Sequence, residues 1–127
     1  MDSEQAGNGE IEALIREYCA AWSESDATRR GEMLNRVWAA EGSYTDPTAR
    51  VEGRAQLIAH IGVVLTDFFP PGARIVAASP VDRHHDVFRF RWQAVQADGA
   101  VLLEGLDFGE IDESGRIRRI VGFFERP

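Results

Sequence analysis

The sequence is poor in cysteine and in long apolar runs. Cys19 is its only cysteine, so neither an internal disulfide nor a thiolate metal cluster can form, and its position in a predicted helix favours a buried structural thiol. No apolar run approaches the roughly 18 residues that span a membrane. The first ten residues are polar and acidic, where a signal peptide would be basic and then apolar. We therefore expect a cytoplasmic protein without a membrane partner.

Basic residues are outnumbered by acidic ones. The chain carries 14 Lys and Arg against 21 Asp and Glu, a formal net charge of −7. Such a charge repels a phosphate backbone, and the arginines form no basic stripe, so nucleic acid is excluded as a partner. The densest basic points are the pairs Arg29-Arg30 and Arg118-Arg119, which we interpret as solvated faces beside acidic neighbours.

The common catalytic motifs are missing. There is no glycine-rich phosphate loop, no H-E-x-x-H and no G-x-S-x-G. His84 and His85 stand between Asp82 and Asp86, a pattern typical of a surface turn, and His60 has no second ligand at helical spacing. We predict neither a metal site nor a cofactor.

Apolar spacing predicts a helical first half. Residues 1–9 are polar with two glycines and are predicted to be a disordered N-terminus. From Glu10 the apolar residues recur at helical spacing. A second helix is expected after Asp26 and is predicted to end at Glu41-Gly42, with a turn before Gly53, and a third is expected over residues 54–69.

The second half changes to the period of two that marks strands. Four strands are predicted, over residues 74–78, 86–96, 101–111 and 116–126. Helices followed by a meander indicate an α+β fold, with three N-terminal helices packed on one face of a mostly antiparallel sheet. An apolar fraction of 44% supplies the core of one domain over residues 10–127.

Three polar residues stand where the pattern predicts a core. Tyr18 lies on the apolar stripe of the first helix, Asp46 precedes Pro47, and Asp107 is surrounded by apolar residues in a strand. A carboxyl group in such a low-dielectric site tends to stay protonated and can then donate a hydrogen bond. Each residue also has a purely structural alternative: a tyrosine bonded to a backbone carbonyl, an aspartate in a turn, and an aspartate bound by backbone amides at a bulge near Gly105.

Six segments together resemble a known superfamily. They are YCAAW (18–22), VWAAE (37–41), YTDP (44–47), EGR (52–54), LEGLDF (103–108) and IVGFF (120–124). In this combination the chain resembles the nuclear transport factor 2-like superfamily, particularly its SnoaL-like polyketide cyclase and ketosteroid isomerase branches. The resemblance implies a cone-shaped, cystatin-like fold with a curved sheet.

The resemblance also implies a chemistry, because ketosteroid isomerases place a tyrosine, an aspartate before proline and a strand aspartate in these three places. Asp46 would then be the general base, with Tyr18 and a protonated Asp107 as the oxyanion hole. Ketosteroid isomerase is the established example of a carboxylic acid kept neutral for this purpose. The implied enzyme is a cofactor-independent isomerase or cyclase that takes a proton next to a carbonyl.

The implied ligand is a small apolar or carbonyl-containing molecule, in a pocket that we predict to be lined by Trp38, His60, Trp92 and Phe124. Two alternatives remain open. In the first, Tyr18 and the two aspartates form a structural network in a noncatalytic ligand-binding or dimerisation domain. In the second, the site activates water as in epoxide-hydrolysing relatives, with an arginine between the carboxylates.

The predicted strand over residues 86–96 contains residues relevant to the water-activating alternative and to dimer formation. The only strand arginine suited to the water-activating alternative is Arg91. The alternation of Arg89, Arg91, Gln93 and Val95 also predicts a mixed outer face, which is consistent with a homodimer formed through the exposed face of the sheet.

Overall fold

Three helices cover one side of the molecule. The computed structural model describes the backbone of residues 2–124 and the side chains of residues 9–124. The helices are α1 (Asp2–Ala21), α2 (Ala27–Val37) and α3 (Arg54–Asp67). Helix α1 begins before Glu10, the predicted start. The side chains of residues 1–8 and residues 125–127 lie outside the described part, and the disorder predicted for residues 1–9 stays a prediction.

Seven strands form one open sheet. They are β1 (Trp38–Asp46), β2 (Ala49–Glu52), β3 (Arg74–Ala77), β4 (Asp82–His84), β5 (Val87–Val95), β6 (Val101–Ile111) and β7 (Ile117–Phe124). Their order is β2-β1-β7-β6-β5-β3, with β4 paired to β5. Only β1 and β7 run parallel among the described pairings. The predicted α+β arrangement with a mostly antiparallel sheet is confirmed. No helix within residues 2–124 is long and apolar enough to cross a membrane.

The second helix ends earlier than the sequence predicted. We expected it to continue to Glu41-Gly42, but β1 begins at Trp38. The Arg54 guanidinium donates two hydrogen bonds to the Trp38 carbonyl oxygen, at 2.9 and 2.7 Å. A carbonyl bound in this way no longer needs a helical partner. The Trp38 indole then donates to the Gly42 carbonyl oxygen at 3.1 Å, and a Cβ atom at position 42 would lie 2.6 Å from the indole nitrogen.

Two short strands were not predicted from the sequence, and both were missed because of their length and exposure. Strand β2 occupies residues predicted to be a turn, and β4 includes His84, predicted to be in a surface turn. Both are three or four residues long and mostly exposed, so they carry little of the alternation on which strand prediction depends. Backbone pairing with β1 and β5 holds them in place.

The core lies between the helices and the inner face of the sheet. Its least exposed residues include Ile11, Ile15, Leu34, Val37, Leu57, Ile61, Phe88, Phe90, Ile117 and Ile120. On the long strand β5, buried Phe88, Phe90 and Trp92 alternate with exposed Arg89 and Arg91. The sheet therefore has one face turned to the core and one turned outward.

Arg30 corrects the expectation of a solvated basic pair. Its side chain is only 3% exposed and donates to the carbonyl oxygens of Glu24, Ser25 and Ile58 at 3.0, 3.1 and 2.9 Å. The guanidinium therefore ties the turn between α1 and α2 to α3. Gly62 leaves room for it, because a Cβ atom there would lie 3.0 Å from a guanidinium nitrogen.

Replacing Arg30 by Met should lower the free energy of unfolding by about 2–3 kcal/mol, because three partly buried carbonyl oxygens lose their charged donor. The matched control Arg29→Met alters an exposed neighbour and should change stability by less than about 0.5 kcal/mol. Urea denaturation followed by circular dichroism measures both. Equal effects of the two substitutions would contradict a structural role for Arg30.

Candidate active site

One cavity of about 370 Å³ opens between α1, α3 and the inner face of the sheet. Its lining is mostly aromatic and aliphatic and includes two carboxyl groups: Tyr18, Cys19, Trp22, Tyr44, Asp46, Thr48, His60, Val64, Phe68, Phe69, Ile75, Phe90, Trp92, Leu103, Asp107 and Phe124. The volume lies near the lower end of the range usual for ligand pockets, about 300–1,000 Å³. An apolar enclosure with few polar groups is typical of a small-molecule site.

The residues predicted to carry chemistry meet in this cavity. Tyr18 reaches it from α1, Asp46 from the end of β1 and Asp107 from the middle of β6. His60 and Trp92 also line it, as does Phe124. The structure thus brings together every predicted site residue except Trp38.

Trp38 lies behind the cavity wall. The expectation that it lines the pocket is corrected, because it is fully buried and is absent from the lining. Its indole is turned back onto the Gly42 carbonyl oxygen. Its ring stacks on that of Tyr18, with centroids 5.6 Å apart and planes at 13°, so Trp38 positions the tyrosine and does not touch a ligand.

Asp107 is buried among apolar groups, with 5% of its surface exposed. Burial raises the pKa of its carboxyl to about 7, the Trp92 hydrogen bond opposes this rise and the negative charge of Asp46 adds to it. The Trp92 indole donates to Asp107 Oδ1 at 3.0 Å. It can lie there because Gly105 has no side chain; a Cβ atom at that position would be 2.2 Å from the Trp92 ring. The group therefore changes charge near neutral pH.

The bulge alternative for Asp107 is not observed. Strands β5 and β6 pair without a register shift from Val87 opposite Glu110 to Ala94 opposite Leu103. The side-chain hydrogen bond of Asp107 goes to an indole and not to backbone amides. Its second oxygen is thus left for the cavity.

Tyr18 is 2% exposed, and its hydroxyl has no hydrogen-bond partner within the described residues. The alternative of a tyrosine bonded to a backbone carbonyl is therefore not observed. Burial raises the pKa of Tyr18 well above its usual value and the charge of Asp107 adds to the rise. The Trp22 indole partly opposes it as a hydrogen-bonding neighbour, although its contact with the hydroxyl does not meet the geometry of a formed hydrogen bond. The hydroxyl remains a neutral donor at the cavity wall.

Asp46 is held by a turn and by a tyrosine. Its Oδ1 accepts from the Thr48 amide, the Thr48 hydroxyl and the Ala49 amide at 2.7, 2.8 and 2.9 Å. The aspartate-in-a-turn alternative therefore holds for Oδ1 of this carboxyl group but not for Oδ2. Its Oδ2 accepts from the Tyr44 hydroxyl at 2.7 Å. All four partners are donors, so both oxygens of this carboxyl group act as acceptors.

Tyr44 was missed by sequence reasoning. It lies two residues before Asp46 on β1, and side chains at this spacing share one face of a strand. That spacing was the available signal. Burial raises the pKa of Tyr44 well above its usual value, so it stays a donor to Asp46.

The two carboxyl groups stand in one row across three strands. Asp107 on β6 pairs with Gly122 on β7. Thr45 pairs with Val121 in the parallel ladder of β1 and β7, so Asp46 stands level with Gly122 one residue further. A Cβ atom at position 122 would lie 2.8 Å from Asp107 Oδ1, 3.6 Å from Asp46 Cβ and 3.7 Å from the Tyr44 hydroxyl. The glycine is the point at which these groups converge.

His60 reaches the cavity from α3. Its ring lies edge-on to Trp22 and tilted against Tyr44, each at a centroid distance of 5.9 Å. Burial lowers the pKa of His60, and the negative charge of Asp46 opposes this. Within residues 9–124 no three His, Cys, Asp or Glu side chains are grouped to hold a metal ion.

Arg91 and Glu104 point away from the cavity. Arg91 is exposed and is absent from the cavity lining. Glu104 is also exposed and accepts from the Gln93 amide at 2.8 Å. The water-activating alternative needs an arginine between the two carboxylates, and Arg91 does not occupy that position.

Solved structures resemble the chain over nearly its whole length. A candidate isomerase of the SnoaL-like family from Agrobacterium tumefaciens is 32% identical, with 93% of this chain and 99% of that chain covered and a TM-score of 0.85. A SnoaL-like candidate polyketide cyclase from Jannaschia is 16% identical, with coverages of 91% and 85% and a TM-score of 0.68. No protein-family model and no curated protein matches the chain.

A third structure shares the fold at lower identity. It is a protein with a ketosteroid isomerase-like fold from Catenulispora acidiphila, in complex with trimethylamine, 14% identical, with coverages of 88% and 85% and a TM-score of 0.68. With the Agrobacterium relative above 30% identity over almost all of both chains, the chain belongs to the SnoaL-like family. Its fold is the cystatin-like, nuclear transport factor 2-like fold that the sequence resemblance implied.

The pKa of Asp107 predicts a dependence of stability on pH. Its carboxyl has an ordinary pKa of 3.8 and a pKa of about 7 in the folded protein. Between these values the folded state binds more protons than the unfolded state, so the free energy of unfolding should fall as pH rises, by at most about 1.4 kcal/mol per pH unit. Asp107→Asn keeps an acceptor for Trp92 and lacks this titration.

Urea titrations of wild type and Asp107→Asn at pH 4.5, 6 and 8 measure the effect. The stability of the wild type relative to the variant should decrease from pH 4.5 to 6 and again towards pH 8. Parallel curves for the two proteins would show that Asp107 titrates alike in the folded and unfolded chains.

Proposed function

We propose that this protein is a cofactor-independent isomerase or cyclase that removes a proton from a carbon next to a carbonyl group. Asp46 is the general base. Tyr18 and protonated Asp107 donate hydrogen bonds to the carbonyl oxygen as it gains negative charge. The observation that carries the proposal is the meeting of these three residues in one largely apolar cavity.

The two carboxyl groups suit opposite roles. Asp107, with a pKa of about 7, is substantially protonated at neutral pH and can donate to an oxyanion. Asp46 accepts hydrogen bonds at both of its oxygens, from Tyr44 at Oδ2 and from Thr48 and Ala49 at Oδ1. Two carboxyl groups in contrasting environments can divide the tasks of acid and base.

Asp46 alone can carry out both proton transfers, without a second acid or base. The carboxylate takes the proton from the carbon next to the carbonyl, the electron pair moves onto the carbonyl oxygen, and the same carboxyl group returns the proton to another carbon of the conjugated system. Thr48 and Ala49 hold Oδ1, which leaves Oδ2, bound to Tyr44, as the oxygen that accepts the proton.

The oxyanion is stabilised by donors that are already in place. The hydroxyl of Tyr18 and the second oxygen of Asp107 lie in a site where burial keeps water away and strengthens each hydrogen bond. Donors of this type typically contribute about 10²–10³ in rate each.

A noncatalytic binding domain is the second candidate. The observation that favours it is the turn at Asp46, whose Oδ1 is already satisfied by Thr48 and Ala49. On this alternative the carboxylate shapes the cavity and accepts a hydrogen bond from a small ligand without moving a proton.

Substituting Asp46 by Asn should separate the two functions. Two substrates test this. Conversion of a β,γ-unsaturated ketosteroid is followed by ultraviolet absorbance, and deuterium uptake by 2-tetralone is followed in heavy water. Wild type should turn over at least one of them. Asp46→Asn should then lose about 10²–10⁴ in kcat/KM, the usual contribution of a general base.

Asp112→Asn is a matched control. Asp112 makes the same kind of turn, accepting from the Ser114 amide, the Ser114 hydroxyl and the Arg116 amide, but it lies outside the cavity lining. It should retain full activity. Turnover that survives in Asp46→Asn would remove Asp46 as the base, and no exchange in wild type would favour the binding domain.

We also propose that the protein acts in the cytoplasm as a homodimer. The outer face of the sheet supports this assembly, because Leu106 pairs with Phe123 and Phe108 with Val121 across β6 and β7. Phe123 is 56% exposed. A contiguous apolar patch of this kind is typical of an interface.

Sedimentation equilibrium tests the dimer. Phe123→Glu should weaken self-association at least about tenfold, since it places a charge within the apolar patch. Val63→Glu, which changes an exposed apolar residue on α3, should leave it unaltered. A monomeric wild type at high protein concentration would refute the assembly.

A further inference from the structure

Two buried polar atoms of cavity-lining residues lack protein partners. Among the side chains of residues 9–124 these are the hydroxyl of Tyr18 and Nε2 of His60, and both residues line the same cavity. Buried polar groups in folded proteins are almost always hydrogen-bonded, and leaving one unpaired costs about 1–3 kcal/mol. The proposed function uses the Tyr18 hydroxyl and leaves the imidazole nitrogen without a role.

The orientation of His60 is fixed by its neighbours. The ring lies edge-on to Trp22 and tilted against Tyr44. Tyr44 is itself held by its hydrogen bond to Asp46. The imidazole is therefore held in the cavity wall by ring contacts, and it is carried by α3, whereas Asp107 is carried by β6.

The charges around His60 restrict what it can bind. Burial lowers its pKa, which favours the neutral ring, able to donate or accept one hydrogen bond at Nε2. The charged residues in the lining are Asp46 and Asp107, and neither Lys nor Arg is among the lining residues. An anionic ligand would meet no counter-charge there, whereas a hydroxyl group can pair with the imidazole in either tautomer.

We propose that His60 is a second hydrogen-bonding anchor and that the ligand is a neutral hydroxy-carbonyl compound, bound by its carbonyl oxygen to Tyr18 and Asp107 and by its hydroxyl group to His60. This inference rests on the site of the proposed function and names its ligand class. The aromatic lining between the two anchors, which includes Trp22, suits a flat hydrocarbon frame joining the two oxygens.

Hydroxynaphthalenes test the two anchors without requiring turnover. The phenol of 2-naphthol imitates the enolic oxygen at Tyr18 and Asp107, and the 1,6-, 1,7-, 2,6- and 2,7-dihydroxy isomers add a hydroxyl group on the other ring. In calorimetric titrations at least one diol should bind wild type about tenfold more tightly than 2-naphthol, the gain from one hydrogen bond.

Two variants separate hydrogen bonding from packing. In His60→Leu the tenfold preference for the diol over 2-naphthol should disappear, whatever the absolute affinity for 2-naphthol. In His60→Gln, whose amide can reach the position of Nε2, part of the gain should return. That rescue is not expected if the imidazole serves only as part of an aromatic wall.

The outcomes distinguish this inference from the proposed catalysis. A diol preference in wild type and in Asp46→Asn, with neither ketosteroid isomerisation nor deuterium uptake by 2-tetralone in wild type, would keep the His60 anchor and remove the catalytic proposal. If no diol gains over 2-naphthol, if the gain persists in His60→Leu, or if none of the naphthols binds, the anchor is overturned whatever the activity.

Discussion

The hydrogen bond between the Trp92 indole and the carboxyl group of Asp107 is the interaction on which the site depends. A carboxyl group taken into an apolar cavity must find a partner or stay neutral, and this one does both: one oxygen is bound at 3.0 Å and burial lifts its pKa to about 7. When Asp107 is ionised, its negative charge adds to the effect of burial, which is the largest cause of the raised pKa values of Tyr18, Tyr44 and Cys19. For Cys19, burial is the larger cause and the pKa reaches about 12, so the thiol is a packing residue and not a nucleophile.

Asp46 meets the cost of burial in a different way. It remains half-buried at the end of a strand, where turn amides and two hydroxyl groups solvate it in place of water. A chain can thus keep two carboxyl groups close together by giving one a dry site and the other a ring of donors. The same contrast makes the cavity chemically asymmetric, with a polar edge at Asp46 and a deep apolar end around Asp107.

The sequence identified most of this site because periodicity reveals polar residues in apolar positions. Tyr18 and Asp107 interrupt apolar patterns, and the structure confirms that both are buried. Side-chain direction at irregular points was not predictable in the same way. Trp38 turns back onto Gly42 where the ladder of β1 and β7 shifts register. Arg30 is buried because three carbonyl oxygens from two segments, the turn after α1 and helix α3, converge on it. Such contacts arise from tertiary structure, and a local pattern of residues does not contain them.

The strand that carries Gly122 sets the distance between the two carboxyl groups. The two carboxyl groups stand on strands separated by the single strand that carries this glycine, so two interstrand spacings, about 9–10 Å, set the distance between their backbones. Backbone hydrogen bonds fix that distance, and side-chain substitutions elsewhere in the cavity leave it unchanged. Related proteins with this row can therefore exchange their apolar lining to suit differently shaped molecules while the two carboxyl groups stay the same distance apart. Only a shift of strand register, or a side chain in place of the glycine, would change the distance between the two carboxyl groups.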